Sequence, residues 1–365
     1  MPRSTSAPQA ASSDLGELSP VATIKDVAKL AGVDTSTVSR VLRDDPQQAV
    51  RPETRERIKD AARMLRYRPN AVGRSLRTRR TDTFAVVVPR LDNPGFIEVI
   101  QGIQIEAARQ GKLVMLVERI AAAAESTSSP RNQDLLASLV LDGRVDGLIA
   151  AFATIDDQLV TGLAERQVPL VLVNRRMPGV RGSVAVDDEA GAALATQQLL
   201  DLGHRDIAFV GFEPETDTSR RREAGYRSAM EKAALTVDPR RLAVGGPSKQ
   251  GGADATETIL RRDPGSRPTG IVVSNLLGAL GALVSVRAAG LRVPEDVSIV
   301  AFNDHDLAED TNPPLTTVRM PNIEMGRQAM GLIVQAAAGL EVGDMMVTEP
   351  APHVVERHST APPRS

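Results

Sequence analysis

The chain of 365 residues has no cysteine and no tryptophan. Without thiols there is no disulfide framework, no thiolate nucleophile and no cysteine-ligated metal. The four histidines, His204, His305, His353 and His358, are scattered, and no glycine-rich P-loop, nucleophile elbow or H-E-x-x-H pattern accompanies them. An enzyme reading would have to rest on Asp304-His305-Asp306 as a metal or acid–base cluster, and these residues read instead as a loop. No apolar stretch approaches the roughly 18 residues needed to cross a bilayer. Residues 1–20, rich in Ser, Thr and Pro, lack the apolar core of a signal peptide and read as a disordered tail. Together these absences predict a cytoplasmic protein that needs no membrane, metal or cofactor.

What is present begins at Thr23. Ile24, Val27, Ala28 and Ala31 fall at i, i+3, i+4 and i+7, one face of a short helix that Thr23 and Asp26 can cap. Gly32 supplies a turn, Val33 can plug the space between two helices, and Asp34 is a good N-cap for the second. Val38, Val41 and Leu42 then face inward, leaving Thr35, Ser36, Thr37, Ser39 and Arg40 outside. Short hydroxyls and a guanidinium suit base edges and phosphates, so the pattern is that of a helix-turn-helix.

The surroundings are basic. Between residues 21 and 80 there are fifteen Lys and Arg against seven Asp and Glu, an excess of eight in a chain whose net charge is −2. The near-neutral total conceals a cationic N-terminal end suited to a polyanion. Pro52 suits the first position of a third helix, with Ile58, Ala61, Ala62 and Leu65 on one face, completing a headpiece over residues 21–68. Residues 69–80 contain a capped stretch from Asn70 to Thr78 that is too short to be a stable helix alone. From its composition this stretch is either a plain linker or a conditional hinge helix.

From about Thr83 the chain alternates short apolar runs with helical patterns, the mark of parallel βαβ units. Residues 84–88, 113–117, 147–150 and 170–173 read as strands of one subdomain, and residues 207–210, 270–273 and 297–302 as strands of another. Open α/β sheets place ligands at the carboxyl ends of their strands. Asn93 and Phe96 follow the first strand there, Asn174, Asn275 and Asn303 each end a strand, and Arg222 precedes Ala224-Gly-Tyr226. Any one asparagine is as readily a turn or cap, but the set converges on one cleft.

The residues Thr23–Leu42, Pro52–Ile58, Tyr67–Asn70 and Arg74–Arg77, followed by Val145-Asp-Gly-Leu-Ile149, Leu202–Gly211, Gly290–Val300 and Pro313–Val318, resemble the lactose repressor and galactose repressor family of bacterial transcription factors. The resemblance covers about residues 22–358. It implies an all-α helix-turn-helix headpiece and an α/β core of two doubly wound parallel-sheet subdomains, like periplasmic binding proteins. The expected N-subdomain comprises about residues 81–186 and 319–342, the C-subdomain about 187–318 and 343–358, with 359–365 a tail. The family pattern places Thr35, Ser36 and Arg40 in the major groove of DNA, Arg40 on a guanine or a phosphate, and makes Leu76 a wedge in the minor groove. Asn70 opens that hinge.

The resemblance also implies a homodimer on double-stranded, pseudo-palindromic operator DNA and a small-molecule effector in the cleft. Repression is the commoner sense in the family, and no C-terminal leucine heptad for a tetramer is present. Asn93, Phe96, Asn174, Arg222, Asn275 and Asn303 match effector positions. Where sugar-binding members often carry aspartate, this chain has Asn174, Asn303 and Leu276, so its cleft has lost negative charge. With Arg222 remaining, the expected effector is phosphorylated, acidic or only partly hydroxylated, and sugar-derived. The alternative to a regulator, a ligand-binding protein that never meets DNA, leaves the basic headpiece without a role.

Overall fold

One apolar stripe organises the N-terminal unit. The computed structural model describes residues 22–42, 50–67, 78, 80–119, 130–262 and 267–364. Helices α1 (Ile24–Ala31), α2 (Thr35–Val41) and α3 (Pro52–Met64) bury Val27, Ala31, Val38, Val41, Ile58 and Ala61 together, with Ile24, Leu42, Ala62 and Leu65 around them. Gly32 ends α1 at φ 61°, the left-handed region that only glycine enters without steric cost. The chain through residue 79 forms one unit and the chain from residue 80 another. The tail at 1–20, Asn70, Leu76 and nearly all of the 69–80 hinge lie outside the described residues.

The second unit holds two six-stranded sheets. The first contains β1 (Thr83–Val88), β2 (Leu113–Glu118), β3 (Gly147–Ala150), β4 (Leu170–Val173), β5 (Ser183–Val186) and β11 (Met345–Val347). Their order is β11-β5-β4-β3-β1-β2, all parallel, with Phe84 opposite Gly147 and Val184 opposite Met345. The second contains β6 (Ile207–Gly211), β7 (Leu242–Val244), β8 (Gly270–Val273), β9 (Ser298–Phe302), β10 (Thr316–Arg319) and β12 (His353–Val355). Here the order is β12-β10-β9-β8-β6-β7, parallel except for β12.

Helices α4 (Ile97–Arg109), α5 (Pro130–Leu141), α6 (Gln158–Glu165), α7 (Asp188–Asp201), α8 (Asp217–Lys232), α9 (Lys249–Arg262), α10 (Leu276–Ala288) and α11 (Asn322–Ala337) cover the sheets. Both faces of the inner strands are covered, which explains why those strands read as unbroken apolar runs, whereas the edge strand β2 leaves Leu113, Met115 and Leu116 exposed. Along β1, Phe84, Val86 and Val88 enter one core while Ala85 and Val87 enter another. Along β6, Ile207 and Phe209 share the first of these cores, and Ala208 and Val210 enter a third. One apolar cluster thus runs from the first sheet to the second.

Three crossings join the sheets: after β5, after β10 and after β11. The last corrects the expected boundary. Residues 343–358 do not all belong to the second subdomain, because Met345–Val347 pairs with Val184–Val186 and extends the first sheet. Only β12 and the residues after it return to the second sheet. Helix α11, within the 319–342 segment assigned to the first subdomain, packs on α4 and the first sheet.

The expected tail at 359–365 is also corrected. Ser359 is fully buried, its Oγ donates to Ile299 O at 2.6 Å and accepts from Thr316 N at 2.8 Å, and its carbonyl accepts from Ile299 N at 2.8 Å. Two residues on, Ala361 O accepts from His204 Nε2 at 2.9 Å, and Thr269 Oγ1 lies 2.9 Å from Nδ1. Residues 359–361 thus pack on β9 and β10 as part of the second subdomain.

Burial lowers the His204 pKa from its ordinary 6.5, partly offset by the bond to Ala361. Neutral His204 is therefore favoured by folding. Above pH 6.5 both folded and unfolded chains hold it neutral and its contribution is full; below 6.5 the unfolded chain takes up a proton that the folded chain resists. Melting temperatures measured from about pH 7.5 to about pH 5.5 are expected to fall more steeply for wild type than for His204→Gln. Equal slopes would contradict this role.

Candidate nucleic-acid interface and ligand cleft

In the headpiece, capping fixes how α2 is presented. Thr23 donates to Asp26 Oδ2 through its backbone N at 2.8 Å and its Oγ1 at 2.7 Å, and these bonds hold the Asp26 carboxyl below the usual range. Asp34 Oδ1 accepts from Ser36 N at 2.7 Å, with the same effect on its own carboxyl. Arg57 of α3 donates from Nε to Ala31 O at 2.9 Å, tying α3 to the end of α1. That arginine fastens the fold.

With Val38 and Val41 buried, the opposite face of α2 points outward. Ser36 and Arg40 are exposed, and Thr35, Thr37 and Ser39 are half-buried. Lys25, Lys29, Arg51 and Arg66 are also exposed. The structure thus brings five of the seven expected DNA-contacting residues onto one short helix; the other two, Asn70 and Leu76, lie outside the described residues.

At the carboxyl ends of the two sheets the expected ligand residues fall into two groups. In one, Asn93 Oδ1 accepts from Gly95 N at 3.0 Å and starts a short 3-10 turn over Pro94–Phe96. Phe96 is buried in the core. Asn303, at φ 67°, brings its amide against Gly95 so closely that a Cβ there would lie 2.7 Å from Nδ2. Its Oδ1 lies 3.4 Å from Asn322 Nδ2, which donates at 3.1 Å to Glu98. Strand ends of both sheets therefore meet at this point.

The second group surrounds a buried carboxylate. Asp188, 0% exposed at the start of α7, accepts from Arg222 Nε at 2.7 Å and pairs with Arg221 Nη1 at 2.6 Å. Arg222 also donates from Nη1 to Ser274 O and lies 4.4 Å from the Phe302 ring centroid. Burial lowers its pKa, and Asp188 offsets that. For Arg221, burial is outweighed by Asp188 and Asp217, and its pKa is raised. The expectation that Arg222 itself attracts an anion is thus corrected: Asp188 already matches its charge.

Asn275 Oδ1 caps α10 by accepting from Gly278 N at 2.6 Å. Asn174, at φ 54°, keeps its Oδ1 buried with no partner. Its neighbour Arg175 carries no signal in the sequence. Arg175 is 7% exposed and donates from Nη1 to Asn174 O at 2.8 Å and to Thr218 Oγ1 at 2.6 Å, linking β4 to α8. Burial and then repulsion from Arg222 bring its pKa down to about 10.

The Asp304-His305-Asp306 segment has other work. Asp304 is buried and accepts from Thr317 Oγ1 at 2.6 Å, Arg357 Nη1 at 2.7 Å and Arg319 Nε at 3.0 Å. Burial raises its pKa, but these three donors outweigh it and the net shift is downward. His305 Nδ1 accepts from Leu307 N at 3.2 Å and caps a short turn. Among the described residues no three His, Asp or Glu side chains converge as for a metal, and no helix is long and apolar enough to cross a membrane.

A helix-turn-helix with a polar outward face, carried on one chain with a two-sheet core of polar strand ends, defines a ligand-responsive regulator. Comparison with known proteins agrees. Residues 23–70 match the model of bacterial regulatory proteins, lacI family, and residues 196–360 match a periplasmic binding protein-like domain. The chain is 31% identical to the HTH-type transcriptional repressor PurR of Aliivibrio fischeri over 343 residues, 93% of this chain and 99% of that one. It is 31% identical to the transcriptional regulator CelR solved with cellobiose, with TM-score 0.69, 93% of this chain and 99% of that one covered. It is 27% identical to the lac repressor dimer bound to operator and the anti-inducer ONPF, with TM-score 0.79 and the same coverage. The chain belongs to the LacI family of bacterial transcriptional regulators.

Asp188 makes a direct test of the core. Replacing it with Asn leaves the buried Arg222 and the half-buried Arg221 facing a neutral amide, and breaking such a buried pair costs about 3–5 kcal/mol. Denaturant unfolding of Asp188→Asn is expected to show a stability lower by that amount. An unchanged midpoint would mean the pair is solvated.

Proposed function

We propose that the protein is a transcriptional repressor that binds pseudo-palindromic operator DNA as a homodimer and is controlled by a small-molecule effector, sugar or sugar-derived, in the core cleft. The observation that carries this reading is the outward face of α2, held by buried Val38 and Val41 so that Thr35, Ser36 and Arg40 stand clear of the headpiece core. Thr37 and Ser39 flank them as phosphate contacts. In this reading residues 21–68 are the headpiece, residues 69–80 the hinge with Asn70 and Leu76, and the remainder the core. The protein works in the cytoplasm and performs no chemistry of its own.

Dimerisation is supported by an apolar edge. Strand β2 exposes Leu113, Met115 and Leu116, and α4 exposes Ile97 and Ile105. A bare hydrophobic edge strand is a hazard unless another chain covers it. A second copy would cover it symmetrically and set two headpieces at a fixed spacing. The cleft reading rests on Asn93, Phe96, Asn174, Arg222, Asn275 and Asn303, whose strand ends line both sheets, and on the cellobiose complex of CelR.

Electrophoretic mobility shifts on DNA flanking the gene, across a salt series, test the operator. Wild type is expected to form a discrete complex that weakens with salt. Arg40→Ala is expected to weaken it roughly 5- to 150-fold if Arg40 reads a guanine, the equivalent of about 1–3 kcal/mol. A phosphate role would instead lower affinity for all sequences and flatten the salt slope by about 1. Leu76→Ala is expected to weaken the complex as well. Equal binding to unrelated DNA would contradict the reading.

A further inference from the structure

Of the buried polar atoms without a hydrogen-bond partner, Asp188 Oδ2 and Arg221 Nη2 belong to one ion pair, and three near the meeting of the two sheets lie outside it: Asn174 Oδ1, Arg175 Nε and Ser274 Oγ. Asn174 and Arg175 share one hydrogen-bonded set with Thr218, and Ser274 belongs to the adjacent set around Arg222. Arg175 and Thr218 both donate to Asn174 O, at 2.8 Å and 2.6 Å, and Arg175 also donates to Thr218 Oγ1. Arg222 donates to the Ser274 carbonyl. Buried polar groups are almost always satisfied, so three orphans in two adjacent sets mark a place shaped for something else.

The charges point the same way. Arg175, Arg221 and Arg222 gather around Asp188 and Asp217. Asp188 pairs with Arg221 and Arg222, and Asp217 with Arg221 at 2.9 Å. Arg175 makes no ion pair among the described residues; Asp188 and Asp217 are already paired, and the exposed Glu213 also acts on it. A buried cation with no ion pair is unfavourable unless an anion joins it. The side chains that come after the three neighbouring strands, Asn174, Asn303 and Asn275, are amides and supply none.

Resting on the effector-cleft reading, we propose that Arg175 anchors an anionic group of the effector, a carboxylate or a phosphate. Arg175 Nε donates to an anionic oxygen. Asn174 Oδ1 accepts from an adjacent hydroxyl or N–H of the ligand, and Ser274 Oγ bonds a second polar atom. The three orphans thus supply one donor, one acceptor and one hydroxyl that serves as either, which matches an anion flanked by hydroxyls better than a neutral sugar.

The test uses the full chain and simple anions. Melting temperature is measured in chloride, in phosphate and in acetate at equal ionic strength and neutral pH. At least one of phosphate and acetate is expected to raise the wild-type melting temperature by about 2 °C or more over chloride. Arg175→Gln is expected to lose that increment, and Arg175→Lys, which keeps the charge, to retain it. Phosphate alone would point to a phosphorylated effector and acetate alone to a sugar acid. No increment in either anion, or an equal increment in Arg175→Gln, would overturn the proposal and leave Arg175 as a latch on Thr218. If Arg175→Gln does not fold, an anion concentration series on wild type decides: an increment that saturates supports a bound anion, and one that rises without saturating is a general salt effect and overturns the proposal. Mobility shifts run in parallel separate the readings: intact operator binding without an anion response sinks only the anion site, whereas absent operator binding sinks the regulator itself.

Discussion

The burial of Asp188 is the constraint around which the core is arranged. A carboxylate with no exposed surface persists only where cations and donors replace its water. Arg222 and Arg221 do so, and they extend its influence outward. Arg221 donates to Val186 O at the end of β5, and Arg222 donates to Ser274 O after β8. Because Asp188 stands at the first crossing, one ion-pair cluster ties a strand end of each sheet to α7 and α8.

Beside the apolar cluster that runs between the sheets, their strand ends also meet through polar contacts. Ile155 N donates to Glu215 O at 2.9 Å, Arg175 reaches Thr218, and Asn303 meets Gly95 and Asn322. Such contacts exchange readily with water or ligand. The crossings themselves are short backbone segments that absorb rotation, which suits hinge motion of two packed bodies. A ligand shifts that equilibrium only by its differential affinity for the two states. Groups that span both sheets, Arg175 with Thr218 above all, are where such a difference arises.

Much of this was legible in the sequence, for identifiable reasons. The apolar stripe at Ile24, Val27, Ala28 and Ala31, the turn at Gly32 and the cap at Asp34 are local features, and all stand where their spacing put them. The long buried strands were visible as unbroken apolar runs. Strands β7, β11 and β12 were not, because three residues carry no periodicity, and β5 and β10 were missed behind Ser183, Thr316 and Thr317. The C-terminal segment looked like a tail because Ser359 and Thr360 are polar; their value lies in bonds to strands some 40 to 60 residues away. In the cleft, asparagines were readable from their positions at strand ends. Arg175 was not, since a buried arginine and an exposed one are the same letter, and its burial depends on Thr218, 43 residues further on.

In the proposed function a symmetric pair of these headpieces reads DNA sequence. Selection of bound duplexes from a randomised pool by the purified full-length protein tests it most directly. An enriched inverted repeat, with half-sites spaced for two α2 helices in successive major grooves, is the predicted result. A pool that stays random after repeated rounds would contradict the account, and a lone half-site would contradict the dimer on which it depends.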